Sequence, residues 1–156
     1  MKEITKIVIK GASGYCSVNY AFKDKVTITP YSISYECNPY AEESHIQKRK
    51  WSYKTTSPSF QETFKTIADG VNKELEEEIK YLWLDAGSVD LVVTFADKTK
   101  RTESYFVSGE YFHDLFMIIK QLVPGIEEIP EVLKTEEDYD EEDYDDGDDK
   151  SYTFSR

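Results

Sequence analysis

The chain has 156 residues, a formal charge of −12 and an aromatic complement of twelve Tyr, eight Phe and two Trp. Eleven of the fourteen residues from Glu136 to Asp149 are acidic, so the rest of the chain carries a charge of only −1. That balance argues against a protein that holds nucleic acid through its overall field, and no apolar run reaches signal-peptide or membrane-span length, so a soluble cytoplasmic chain without a membrane partner is expected.

Composition divides the chain in two. Residues 1–134 have the size and apolar content of a single globular domain. Residues 135–156 form an acidic low-complexity tail that contains a tandem pentapeptide, Glu136-Glu137-Asp138-Tyr139-Asp140 and Glu141-Glu142-Asp143-Tyr144-Asp145. Dense like charge with little apolar content predicts disorder there.

Within the domain, Thr5 to Lys10 alternates as a strand, with Lys6, Val8 and Lys10 on one face. Gly11-Ala12-Ser13-Gly14 follows as a turn, lacking the Lys-Ser/Thr and helix of a phosphate loop. A second strand is predicted from Tyr15 to Phe22, a tight reversal at Lys23-Asp24, and a third strand from Val26 to Tyr35, interrupted at Pro30. Cys37 to Gln47, with Asn38-Pro39, is predicted as loop. Arg49 to Thr55 alternates as a fourth strand, with Arg49, Trp51 and Tyr53 opposite Lys50, Ser52 and Lys54.

The clearest helix starts near a capping-box pattern, Ser59-Phe60-Gln61-Glu62, behind Pro58. Phe60, Phe64, Ile67, Val71, Leu75, Ile79 and Leu82 form its apolar stripe. Gly70 inside that stripe points to close packing. A hairpin comes next, from Val89 to Phe95, through Ala96-Asp97-Lys98, and back from Lys100 to Val107. A second helix is predicted from Glu110 to Leu122, ending at Val123-Pro124-Gly125. A short amphipathic piece follows, with Ile126, Ile129, Val132 and Leu133. The order ββββαββα with hairpin-length links predicts an α+β domain: an antiparallel or mixed sheet of about six strands, with both helices on one face.

Chemistry-bearing motifs are sparse. Cys16 and Cys37 sit in strand-like surroundings, where free cysteines act as small buried hydrophobes. Glu110 and His113 make one Glu-x-x-His, whereas a di-metal carboxylate site uses two such motifs and further Glu residues. The tail does not fit an EF-hand loop: with Gly147 in the sixth position, Thr153 would occupy the twelfth. Neither catalysis nor a cofactor or metal is expected. The strongest remaining signal is cationic: Lys48, Arg49, Lys50, Trp51 and Lys54, joined by Lys100 and Arg101 in the second hairpin. Cations interleaved with aromatics suit single-stranded nucleic acid or a phosphorylated ligand, whereas edge lysines also guard sheets against aggregation. The sequence therefore predicts a non-catalytic intracellular interaction or regulatory module with a protein partner. A nucleic-acid role is the alternative, with the tail either competing for the basic patch or mimicking a polyanion, and an enzyme with an unfamiliar site built from Tyr, Asp and Glu side chains is the third and least favoured reading.

Overall fold

The computed structural model describes residues 2–13, 20–42, 44–77, 88–105, 109–135 and 138. Six strands form one fully antiparallel sheet: β1 (Ile4–Ala12), β2 (Phe22–Thr29), β3 (Ser32–Pro39), β4 (Arg49–Lys54), β5 (Ser88–Phe95) and β6 (Lys100–Tyr105), in the order β4-β3-β2-β1-β5-β6. The first four strands form a meander. The chain then passes through helix α1 (Pro58–Leu75) and returns to place β5 against β1, before β6 closes the far edge. Helix α2 (His113–Lys120) follows one 3₁₀ turn, Gly109–Phe112. The α+β class, the element order and the six strands agree with the sequence expectation.

Strand alternation builds the core. Ile7 and Ile9 on β1 stand opposite Ile28 and Val26 on β2 and opposite Val93 and Leu91 on β5. All six are fully buried. Over this apolar face α1 lays Phe60, Phe64, Ile67, Ala68, Val71 and Leu75, and α2 lays Phe116 and Ile119. Sheet face and helix stripes belong to one core cluster. Where the helices meet, a Cβ on Gly70 would come within 3.1 Å of the Leu115 side chain, so this glycine does mark close packing.

The two hairpin boundaries in the first third differ from expectation. Lys23-Asp24 is not a reversal. Both residues lie inside β2, paired with Ala12 and Gly11 of β1. The reversal is at Pro30-Tyr31, between the paired ends Thr29 and Ser32. Pro30 pre-sets the turn dihedral and has no N–H to place, while the Thr29 hydroxyl accepts from the Tyr31 N–H at 3.2 Å and meets the Ser32 hydroxyl at 2.7 Å. Cys37 and Asn38-Pro39, expected in a loop, complete β3, where Cys37 is buried. Gly11, expected in a turn, is part of β1.

Helix α1 starts two residues earlier than the capping-box reading. Pro58 takes the first turn and Ser57 the cap position, with no side-chain capping bond. Of the strand expected from Tyr15 to Phe22, residues 15–19 lie outside the described residues, Tyr20 and Ala21 are not strand, and Phe22 opens β2. Helix α1 ends at Leu75 with Glu76 as its cap, while Ile79 and Leu82 lie outside the described residues, as do Cys16, Val107 and residues 139–156. The hairpin turn at Ala96-Asp97-Lys98 is present, with Lys98 at φ 71° and the Thr99 N–H donating to Asp97 Oδ1 at 3.0 Å.

Candidate functional site: the open, lysine-bearing sheet face

Residues alternate across a strand, so the six-strand register also defines what the second face carries. One row of neighbours runs Lys50, Glu36, Lys25, Lys10, Asp90, Ser104 from β4 to β6. The next runs Ser52, Ser34, Thr27, Val8, Val92, Thr102. Beyond the first row, Ala12 pairs with Lys23, which faces Asn38. Beyond the second, Thr94 stands between Lys6 and Lys100, and Ser32 stands opposite Lys54. Among the described residues no helix covers this face, and its strand positions hold seven lysines against two carboxylates, Glu36 and Asp90.

The centre of the face carries an unfavourable pairing. Lys10 and Lys25 stand directly opposite one another on the two middle strands, an arrangement that costs stability because side chains there are about 5 Å apart at Cβ. Lys23 lies one pleat along, on the same side of β2. These three lysines line a recess of about 400 Å³ together with Glu36, Asn38, Ser88 and Asp90. The Lys23 ammonium also sits 5.9 Å from the centre of the exposed Tyr40 ring.

The seven residues singled out from the sequence do not form one patch. Strands β4 and β6 are opposite edges of the sheet, five inter-strand spacings or about 24 Å apart. Alternation then divides each run between faces. Lys50, Lys54 and Lys100 belong to the open face, and Lys48 is exposed just before β4.

Arg49, Trp51 and Arg101 belong to the helix face and are engaged in holding the fold. Arg101 donates to the Leu75 carbonyl at the end of α1 at 2.8 Å and to Glu103 at 2.9 Å. Trp51 packs on Tyr35, ring centres 5.8 Å apart. Arg49 lies over the Tyr35 ring at 5.0 Å and donates to the carbonyls of Glu128 and Ile129, each at 3.2 Å, and to the Glu131 carboxylate at 3.4 Å.

Arg49 is part of a clasp that the sequence did not reveal. After α2, residues 124–135 cross the sheet end as a strap containing a 3₁₀ turn, Glu131–Leu133. Asp24, 5% exposed, accepts at Oδ2 from the Tyr35 hydroxyl and from the Val132 N–H, both at 2.8 Å. The Tyr35 hydroxyl in turn accepts from the Glu131 N–H at 3.0 Å. Burial pushes the Asp24 carboxyl up to about 6, against the two hydrogen bonds that favour its charged form. Burial, reinforced by the Asp24 charge, also holds the Tyr35 hydroxyl well above the usual tyrosine range.

Gly11 makes the close approach feasible. A Cβ there would meet Asp24 Oδ1 at 2.5 Å and Val132 Cγ2 at 2.6 Å. The strap buries Val132 and Leu133, while Ile126, expected to be apolar-packed, is 93% exposed. The described body continues slightly past the compositional boundary at 134: Thr135 is buried, and Lys120 bonds both the Thr135 hydroxyl and the Asp138 carboxylate.

His113 lies half-buried on α2, and among the described residues no group of three or more His, Cys, Asp or Glu could hold a metal. Among the described residues, too, no helix is long and apolar enough to cross a membrane. Comparison of the chain with family models, curated proteins and solved structures finds no match.

Proposed function

We propose that this protein is a non-catalytic intracellular interaction module whose open sheet face binds an acidic polypeptide segment. The observation that carries the reading is the Lys10–Lys25 pair at the middle of the sheet. The same row sets opposite charges across its other neighbours, Lys50–Glu36, Glu36–Lys25 and Lys10–Asp90, so Lys10–Lys25 is its one like-charged contact. Seven lysines against two carboxylates leave the face an excess of positive charge that an acidic ligand would neutralise.

The chemistry of the surroundings favours a peptide. Serine and threonine hydroxyls take four of the six positions in the row beside the lysines, around Val8 and Val92, and carboxylates accept hydrogen bonds from both ammonium and hydroxyl groups. Single-stranded nucleic acid is bound on sheets by stacking bases on aromatic rings, yet the described open-face strand positions hold no aromatic residue. The aromatics of β4, Trp51 and Tyr53, belong to the other face.

The test is fluorescence anisotropy of the full chain against a labelled Glu-rich peptide, its Gln-rich counterpart and a single-stranded oligonucleotide, at low and high salt. The Glu-rich peptide should bind selectively and release as salt rises. Lys10→Gln with Lys25→Gln should weaken it roughly tenfold, about 1.4 kcal/mol. Equal binding of the Glu-rich and Gln-rich peptides would refute the reading, and preference for the oligonucleotide would transfer the face to nucleic acid.

A further inference from the structure

We infer that the lysine face is occupied in cis by this chain's own acidic segment, residues 139–156, so that an external acidic partner binds only by displacing it. This rests on the reading of the face given above and adds its regulation.

Three observations carry it. The first is charge complementarity within one chain. Eight carboxylates lie between Asp140 and Asp149 with no cation among them, while the open face holds an excess of lysines centred on Lys10, Lys23 and Lys25.

The second is where the described chain ends. The strap is pinned at the same end of the sheet as those lysines. Val132 packs where a Cβ of Gly11 would be, next in sequence to Lys10, and its N–H is bound to Asp24, the residue between Lys23 and Lys25. Lys120 and the Thr135 N–H then hold Asp138, the last described residue. The acidic segment therefore starts from a fixed point on the body, which gives it a high effective concentration at nearby cations.

The third is reach. The eighteen residues that follow can extend to about 60 Å, and the full width of the sheet is only about 24 Å. On length alone the segment can pass round the sheet end and reach β2, β1 and β3. Its attraction is between exposed groups and weakens with added salt. An acidic partner of higher charge density or concentration displaces it.

The test compares the full chain with a full-length variant in which the carboxylates from Asp140 to Asp149 are changed to amides, both first confirmed to share one melting transition. The probe is the labelled Glu-rich peptide at low salt. If the segment occupies the face, the amide variant binds the probe at least tenfold tighter, the difference closes as salt rises, and the backbone amide resonances of Lys10, Lys23 and Lys25 shift between the two proteins. Equal affinities with unchanged resonances would overturn cis occupation while leaving the face as a peptide site. Failure of the amide variant to bind the probe at any salt would overturn the face reading itself. Adding Lys10→Gln and Lys25→Gln to the full chain supplies the control, since the segment's salt-dependent resonance shifts should then disappear.

Discussion

The two faces of the sheet are built from the same strands and differ in everything else. One face stacks Ile, Val and Leu under two helices and is dry. The other presents lysine, serine and threonine in register and, among the described residues, has no helix on it. Neighbouring residues on one strand therefore have unrelated jobs. The lesson is that charge counted along the chain misleads in a sheet: Arg49 and Lys50 are adjacent in sequence, yet one clasps the strap and the other faces outward.

The sharpest way to break the comparison is a pair of truncations on β5. Leu91 is fully buried on the helix face, and Val92 is half-buried on the open one. Leu91→Ala should cost about 3–4 kcal/mol through lost burial and the cavity left behind, whereas Val92→Ala should cost about 1 kcal/mol or less. Urea denaturation reads both. Equal costs would mean that the open face is packed against something after all.

The next effect is nearly as large and depends on pH. The Asp24 carboxyl rises from 3.8 to about 6 on folding, so its contribution to stability is fully present below the unfolded value and is lost as pH rises through about 6. At about 1.4 kcal/mol per unit, wild type should gain roughly 3 kcal/mol relative to Asp24→Asn between pH 7 and pH 3.5. The difference between the two denaturation curves isolates this group from other carboxylates. A constant difference across that range would show that Asp24 is not buried under the strap.

Gly11 probes the same place by sterics. Gly11→Ala drives a methyl group into Asp24 and Val132 and should cost about 2 kcal/mol, with the strap the first segment to lose hydrogen-exchange protection. The smallest effects compare adjacent cations. Arg49→Ala removes the donors to Glu128, Ile129 and Glu131 and should cost about 1.5 kcal/mol. Lys50→Ala should stay within about 0.5 kcal/mol and instead weaken acidic-peptide binding. A reversal of that order in thermal melts would undo the assignment of the two side chains to opposite faces.

Much of the architecture is legible in the sequence. Period-two alternation placed β1, β4 and β5, and the three-and-four-residue spacing from Phe60 to Leu75 placed α1 and its buried stripe. The expectation of a reversal at Lys23-Asp24 fails for a clear reason. Two charged residues look like a turn, but one is a lysine on the open face and the other a carboxyl buried by residues more than a hundred positions away. Pro30 reads from the sequence as an interruption within one strand because nothing local distinguishes that from a hairpin loop. For the site, the signal was present in the spacing Lys6-x-Val8-x-Lys10 and Lys23-x-Lys25, but it is weaker to the eye than the contiguous run from Lys48 to Lys54.

The sequence by itself determined the class, the element order, the helix stripe and the separation of an acidic tail from a nearly neutral body, because these follow from periodicity and local composition. Only the tertiary structure decided which strands are neighbours. That choice places the two basic runs at opposite edges, sets Lys10 against Lys25, and folds the strap over Asp24. Each of these depends on contacts between residues far apart in the chain, and a strand's own pattern says which face a residue takes but not whose side chain it will meet there.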